Sequence, residues 1–379
     1  MGEQRFRVWF GDQGATEDEL ERIEEIEVTQ EMDAIWEARM RLETCLDEHG
    51  SWQNRADRFA PFSRVRVELD PGSGAFVPLI DGPVASFETA MDSQPGRSTV
   101  TLIVRDDSVF LNRAEAVETF ENRKDSDLAE ELFKRAAQIK ETRVEATTAT
   151  HPATTRRGTE MQFLRELARA SDRHAYVLPG ETPGQSVGCF LPDPEAAGAL
   201  PKLVLIGDGR NLANASVEED PEGPERTRGR TMRVGDMSEV TFETSASDLG
   251  LMRDLPAVSE DLTPLRLLPP GDSSREDPEA AVTSRARSAG YAFRMASQVI
   301  PGCYSAVLTP YQKVVVEAGA TPYSGDYLIT KVVHRITPSV YTQELEAKSN
   351  SRTDVPASPV AEAAGGGLSA SASVSVSIF

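Results

Sequence analysis

The chain has 379 residues, of which 39% are hydrophobic and 27% are charged. This balance is typical of a folded protein with more than one core, not of a disordered chain. The 61 acidic and 40 basic residues give a net charge of −21. Because such a charge repels phosphates, the composition argues against binding of nucleic acids or anionic membranes through the general surface. The same charge suits simple solubility, and it also suits a wall along which an acidic cargo slides.

The cysteines and the apolar runs exclude further classes. Cys45, Cys189 and Cys303 are far apart and form no CxxC pair, which argues against a disulfide framework or a zinc knuckle. No stretch reaches the roughly 20 apolar residues that a membrane-spanning helix needs. The N-terminus is polar and lacks the apolar segment of a signal peptide. We therefore expect a protein that is made and assembled in the cytoplasm.

The first hundred residues alternate apolar and polar side chains. The apolar members of three such runs are Phe6, Val8, Phe10, Val65, Val67, Leu69, Val100, Leu102 and Val104. This period of two predicts strands with one buried face. Pro-Gly turn signals at 70–74 and 94–96 favour antiparallel connections, so we expect a barrel or sandwich. The pattern over residues 20–46 is mixed and assigns no element.

Two helices follow in the sequence. Apolar residues three and four positions apart predict helices over 127–139 and 160–171. Thr159 and Gln162 have the spacing of a capping box at the start of the second helix. A short strand over 175–178 then completes a small α/β unit.

The strand pattern returns in the last half of the chain. It predicts strands over 188–191, 203–206, 240–244, 313–317, 326–335 and 341–347. The residues 216–231 and 269–280 are rich in Pro, Gly and charge, which predicts exposed loops. A helix is expected over 281–297, and the composition of 352–367 is that of a linker.

The segment 369–379 alternates serine with apolar residues. Val374, Val376, Ile378 and Phe379 fall on or beside the apolar side of this pattern, which is typical of an extended strand. A lone strand has no partner for its backbone groups. The segment could pair within its own fold, complete a sheet of another protein by strand addition, or stay disordered.

A search for chemistry yields no catalytic set. The four histidines, His49, His151, His174 and His334, show no metal-ligand spacing, and His334 lies in a predicted strand, where a structural role is favoured. There is no GxSxG or P-loop motif, and the glycines at 207–211 are better explained by a hairpin turn than by a phosphate site. We predict no catalytic residue, no cofactor and no metal. Two alternatives remain, a hydrolase that uses a carboxylate pair and a carbohydrate- or receptor-binding protein.

Three stretches carry a family likeness. They are V-R-D-D-S-V-F-L-N-R at 104–113, M-Q-F-L-R-E-L-A-R-A at 161–170 followed by His174, and G-D-Y-L-I-T-K-V-V-H-R at 325–335 with Y-T-Q-E-L at 341–345. In their order and spacing they resemble the baseplate hub family of contractile tails. This family comprises the late-control tail proteins of phages and the hub half of VgrG-type spikes. The likeness covers roughly residues 1–350 and is spread over many positions.

The resemblance implies a mainly β, α+β fold with two tail-tube-like barrels and an inserted α/β domain. The expected domains are 1–107, the first barrel; 108–187, the α/β domain; 188–349, the second barrel; and 350–379, a linker with a docking strand. It also implies a homotrimer with a pseudo-six-fold ring that contacts the tail tube, a spike and baseplate wedge proteins in a virion or injection particle. It implies neither membrane binding of its own nor specific nucleic-acid binding.

The sequence departs from VgrG-type chains after the second barrel. Those chains continue into an oligonucleotide-binding fold and a needle, whereas only a linker and the alternating segment follow here. We therefore expect the spike to be a separate chain, docked by Val374, Val376, Ile378 and Phe379.

Overall fold

The computed structural model describes residues 4–44, 60–94, 96–195, 197–198, 200–232, 237–268 and 278–355. The fold is mainly β with short helices, as the sequence predicts. The first third contains β1 (Arg5–Phe10), β2 (Gln13–Gly14), α1 (Glu17–Glu21), β3 (Ile23–Glu31), β4 (Glu37–Glu43), β5 (Arg64–Asp70), β6 (Val77–Ala90) and β7 (Thr99–Arg105). The segment 20–46, which the pattern left unassigned, thus holds β3 and β4.

The rest of the chain alternates helices and strands before returning to strands. The middle contains a 3-10 helix (Asp107–Asn112), β8 (Ala116–Lys124), α2 (Asp125–Phe133), β9 (Ile139–Val144), β10 (Thr150–Gly158), α3 (Glu160–Ala170), β11 (His174–Pro179) and β12 (Ser186–Leu191). The last part contains β13 (Leu203–Val204), β14 (Leu212–Glu219), β15 (Arg226–Met232), β16 (Glu239–Ser245), β17 (Leu255–Pro256), a 3-10 helix (Glu260–Leu262), β18 (Leu265–Leu267), α4 (Glu279–Ala289), β19 (Phe293–Val299), β20 (Lys313–Glu317), β21 (Gly325–Ile336), β22 (Tyr341–Ser349) and β23 (Ser351–Arg352).

Eight strands of one curled, 13-stranded sheet form a continuous antiparallel run, which we call the long sheet. Their order is β14-β19-β22-β21-β3-β4-β7-β6, and every neighbouring pair is antiparallel. The pairing of β21 with β3 joins the last part of the chain to the first. The N-terminal half of β6 leaves the long sheet to pair with β5, and β1 and β2 follow β5. The domain boundaries 1–107, 108–187 and 188–349 stay a prediction.

Each half of the long sheet covers its own core. Val28, Met40 and Leu102 lie on one face of β3, β4 and β7 and are fully buried. In the second half, Tyr327 on β21 and Leu345 on β22 are likewise buried on one face of the sheet. Alternation of apolar and polar residues accounts for both cores, since a strand presents successive side chains to opposite faces. Each large side chain buried in this way contributes about 1.5–3 kcal/mol.

The middle unit, which we define as β8 to β12 with α2 and α3, is an α/β layer as predicted. Its helices pack on the sheet β11-β12-β9, in which β12 pairs with β9 in parallel. A Cβ at Gly188 would lie 2.5 Å from the ring of Phe133, so this strand needs glycine where the helix packs against it. The predicted capping box is present, because the Thr159 hydroxyl accepts from the Gln162 amide and the Gln162 side chain accepts from the Thr159 amide.

Several predicted boundaries are wrong. The helix predicted over 127–139 is α2, which ends at Phe133 and not at 139. The apolar spacing continues beyond it because Ala136 is buried in the turn that leads to β9. The expected loop 216–231 is mostly strand, with β14 and β15 separated by 220–225. The helix expected over 281–297 ends at Ala289, and β19 begins four residues later at Phe293. The expected strand 203–206 is reduced to β13, which pairs with β20, so 207–211 is a turn but not a hairpin.

Candidate functional site

The face of the long sheet opposite the cores is polar, and we call it the polar face. Strand register places these charged residues on it: Glu25, Glu27, Glu31, Glu37, Arg39, Arg41, Glu43, Glu88, Arg105, Glu218, Arg294, Lys331, Arg335, Glu344, Glu346 and Lys348. Nine of them are acidic and seven are basic. The polar face is therefore nearly balanced, although the whole chain carries −21.

Ion pairs between neighbouring strands account for this balance. Arg335 on β21 lies 2.7 Å from Glu27 and 3.0 Å from Glu25 on β3. The hydrogen bond to Glu27 raises the pKa of Arg335 further above its ordinary value. Similar pairs join Arg105 to Glu37 at 3.0 Å and Lys331 to Glu346 at 3.4 Å. Such exposed pairs each contribute little to stability, but together they neutralise the polar face.

Two depressions of about 490 and 460 Å³ lie on the polar face along β14, β19 and β22. Their linings include Glu218, Arg294 and Glu346 in the first and Gln298 and Lys331 in the second. Neither is lined by an aromatic side chain within the part of the chain that the structure describes.

The long sheet has a free edge at each end. Among the described strands, β14 pairs only with β19, and residues 85–90 of β6 pair only with β7. An edge strand presents unpaired N–H and C=O groups, which form a template for another strand. With eight antiparallel strands, β14 and β6 run in opposite directions. A head-to-tail junction between β6 of one copy and β14 of another would therefore also be antiparallel.

A buried ionic cluster fixes the middle unit to the first half of the sheet. Asp81 accepts from Arg64 at 2.6 Å and from Arg66 at 3.0 Å. Arg64 also donates two bonds to Asp107, which in turn accepts from the hydroxyl of Ser186 on β12 at 2.7 Å. The Arg66 side chain is only 2% exposed. Burial of two guanidinium groups requires this full set of partners, so the cluster is a rigid joint.

His174 connects the middle unit to both halves of the long sheet. Its Nδ1 lies 3.0 Å from Asp33 in the β3–β4 turn, and its Nε2 lies 3.0 Å from Asp193. Asp193 also accepts from the hydroxyl of Tyr291, which precedes β19, at 2.6 Å. Burial favours the neutral ring, but the bonds to Asp193 and Asp33 outweigh it and raise the pKa of His174 to about 9. The ring is therefore a cation that donates from both nitrogens.

The acidic pair in the motif at 104–113 is structural. Asp106 is buried and caps the 3-10 helix by accepting from the amide of Ser108 at 2.8 Å, and it also accepts from the amide of Trp36. Burial raises the pKa of Asp106 to about 6. Asp107 belongs to the cluster with Arg64. Both carboxyl groups are thus buried and hydrogen-bonded within the fold.

The other residues considered from the sequence also have structural surroundings. His334 is fully buried between the Tyr341 hydroxyl at 2.8 Å and Gln30 at 3.2 Å, and burial lowers its pKa to about 3. His151 lies 3.5 Å from Asp125 at the start of α2. Cys189 is buried and Cys303 is exposed.

Some sequence predictions lie outside the described residues. They are Cys45, His49 and the proposed docking residues Val374, Val376, Ile378 and Phe379. Within the described ranges, no three or more His, Cys, Asp or Glu side chains are grouped as metal ligands would be. No helix in those ranges is long and apolar enough to span a membrane.

Comparison with solved structures identifies the fold. The 43 kDa tail protein of prophage MuSo2 from Shewanella oneidensis is similar over 91% of this chain and 98% of its own, with a TM-score of 0.63 and 14% identity. A tail protein from Neisseria meningitidis MC58 is similar over 92% and 97%, with a TM-score of 0.61 and 14% identity. No protein-family model and no curated protein matches the chain.

A third similar structure is the Escherichia coli c3393 protein, a component of the type VI secretion system with similarity to the T4 tail proteins gp27 and gp5. The likeness covers 87% of this chain and 74% of that protein, with a TM-score of 0.56 and 11% identity. The chain therefore has the fold of phage tail proteins. The likeness inferred from residues 104–113, 161–174 and 325–345 is confirmed at the level of fold.

Proposed function

We propose that the chain is a structural baseplate hub of a contractile phage tail or a related injection system. Three copies close head to tail into a ring that joins a six-fold tail tube to a three-fold spike. The observation that carries the proposal is the long sheet, with its eight antiparallel strands and a free edge at each end. A heterologous contact of this kind forms a ring when the rotation closes. In the ring, β14 of one copy pairs with residues 85–90 of the next.

The internal organisation of the long sheet supports the match between six-fold and three-fold symmetry. One half consists of β3, β4, β7 and β6, and the other of β14, β19, β22 and β21. Each half has four strands and its own core. Three copies would therefore present six four-stranded units to the tube, while the complete assembly keeps three-fold symmetry for the spike.

The two ends of the strands, as distinct from the two free edges of the long sheet, suggest the two partners. The described chain ends beside the start of β21, where the amide of Thr353 donates to the carbonyl of Pro322. The predicted docking strand with Val374, Val376, Ile378 and Phe379 would meet the spike from this end. The opposite end carries α1 and the β21–β22 turn at 337–340, and we assign it to the tube. Wedge proteins would bind outside the ring.

Crosslinking of the two edges tests the ring. Ser216→Cys on β14 and Glu88→Cys on β6 are made in a background in which Cys45 and Cys303 are replaced by serine. A short bismaleimide should link the double variant into covalent dimers and closed trimers, because each copy offers one thiol at each edge. Either single variant is the matched control and should give no trimer. A double variant that stays monomeric at every concentration, in solution and in purified particles, would contradict the proposal.

A further inference from the structure

A separate small sheet follows the edge strand β14 in the chain. It has the order β16-β15-β18, and α4 covers one of its faces. A Cβ at Gly229 of β15 would lie 2.5 Å from Val282 and 2.9 Å from Pro278, so glycine allows this close packing. Leu268 and Ala281 complete the apolar contact. This side of the small sheet is therefore covered by α4 of the same chain.

The opposite side of the small sheet, which we call the arginine–leucine face, is open. Strand register places Leu265 beside Arg226 and Leu267 beside Arg228 on this side, and Arg230 continues the row. Leu267 is 72% exposed and Leu265 is 37% exposed. An exposed row of leucines next to arginines is unusual on a monomeric surface and typical of an interface.

The charge of this face differs from that of the chain. Within the described ranges its three arginines pair with Glu239 and Glu243 on β16, and Arg228 bonds to Glu243 at 2.7 Å. The Arg226 guanidinium is 3.7 Å from the same carboxylate and remains 46% exposed. The whole chain carries −21. The acidic surface that would complement this face is thus present on every other copy of the same chain.

The position of the small sheet gives the direction of contact. Arg287 on α4 bonds to Asp172 of the middle unit at 3.0 Å, so α4 lies between the middle unit and the small sheet. The arginine–leucine face is turned away from α4 and therefore away from the middle unit of its own copy. Only residues 220–225 separate β15 from β14. The small sheet therefore follows directly in the chain on the strand whose edge meets the neighbouring copy in the proposed ring.

We infer that the arginine–leucine face is a second interface between adjacent copies of this chain, in addition to the strand junction at β14. This inference rests on the proposed ring. Leu265 and Leu267 supply buried apolar area, and the arginines pair with acidic residues of the neighbour. The contact fixes the orientation of adjacent copies, because a strand junction alone leaves rotation about the strand.

The test replaces both leucines in the full chain. Leu265→Glu with Leu267→Glu should weaken trimer formation about tenfold to a hundredfold, the range of interface hot spots. Self-association is measured by sedimentation or mass photometry over a concentration series. Val340→Glu is the matched control for self-association of the isolated chain, since Val340 is 43% exposed in the turn between β21 and β22, two strands that lie away from both free edges. An unchanged melting temperature shows that the variant still folds.

A photocrosslinking residue at position 267 identifies the occupant. We expect a crosslink to another copy of the chain, and position 340 should not give one. A crosslink only to a different particle protein would overturn the inference, and so would an unchanged trimer in the double glutamate variant. In either case trimers linked through Ser216→Cys and Glu88→Cys would still support the ring. Absence of those edge-linked trimers would instead refute the proposed function.

Discussion

The two halves of the long sheet have the same strand arrangement but different attachments. The first half, with β3, β4, β7 and β6, is joined to the middle unit where Arg66 donates to the carbonyls of Gly180 and Glu181 and where Asp81 accepts from the amide of Gly184. In the second half, the chain between β14 and β19 forms the small sheet and α4. The four-stranded arrangement is common to both halves, whereas the units attached to it differ. In the proposed ring, the shared strand arrangement would give regular repeats, and the different attachments would give each half different neighbours.

The largest expected effect comes from breaking the attachment of the first half. Asp81→Ala leaves Arg64 and Arg66 buried without their shared carboxylate. We expect a loss of about 3–5 kcal/mol in the free energy of unfolding, as for other buried ion pairs with one partner removed. Denaturant titration measures it. Glu88→Ala, which removes an exposed partner of Arg39, is the control and should cost less than about 1 kcal/mol.

A smaller loss of stability should follow from deprotonation of His174, which links the two halves of the long sheet. Its folded pKa of about 9 lies above the ordinary value of 6.5. The stabilisation is therefore fully present below about pH 6.5 and is lost as the pH rises through about 9. We expect a loss of about 2–3 kcal/mol by pH 10, allowing for the half-exposed Asp33.

Thermal melts between pH 6 and 10 check this dependence. The His174→Ala variant lacks the titrating ring and should be less stable at pH 6, with a flatter profile between pH 7 and 10. A wild-type profile as flat as that of the variant would contradict the role of His174.

The smallest effect is expected at the seam where the halves meet. Arg335→Ala should lower stability by less than about 1 kcal/mol, with the difference reduced at high salt, because the pairs to Glu25 and Glu27 are exposed. Ile336→Ala at the same seam should cost about 2–5 kcal/mol, since Ile336 is buried against the first core. Equal losses in the two variants would mean that ion pairs, rather than packing, hold the halves together.

The sequence pattern predicts the strands that have one buried, apolar face. Alternation predicts β20, β21 and β22, and Val314, Val332 and Leu345 are among the buried positions on these strands. The Pro, Gly and charged residues of 216–231 predict a loop, because they outweigh the short alternation of Ala213, Ala215 and Val217 with polar residues on β14. The partner of β14 is β19, about 80 residues away in sequence, whereas β15 pairs with β16 and β18.

Contacts distant in sequence account for what could not be predicted at the candidate site. His174 has no local motif, because Asp33 is 141 residues away and Tyr291 reaches it only through Asp193. The pairing of β21 with β3 connects positions about 300 residues apart. By contrast, the Thr159–Gln162 cap was predictable, since both partners lie within one turn of the chain.

The balance of charge on the polar face has a consequence for transport through the proposed ring. Alternating charges about 4.8 Å apart on neighbouring strands produce a field that decays within a few ångströms of the wall. A molecule that passes along the polar face would therefore be neither held nor pushed away by these side chains, whatever the sign of its own charge. The excess negative charge of the chain lies elsewhere on the molecule, so the polar face would act on a passing molecule as a nearly neutral surface rather than a repelling one.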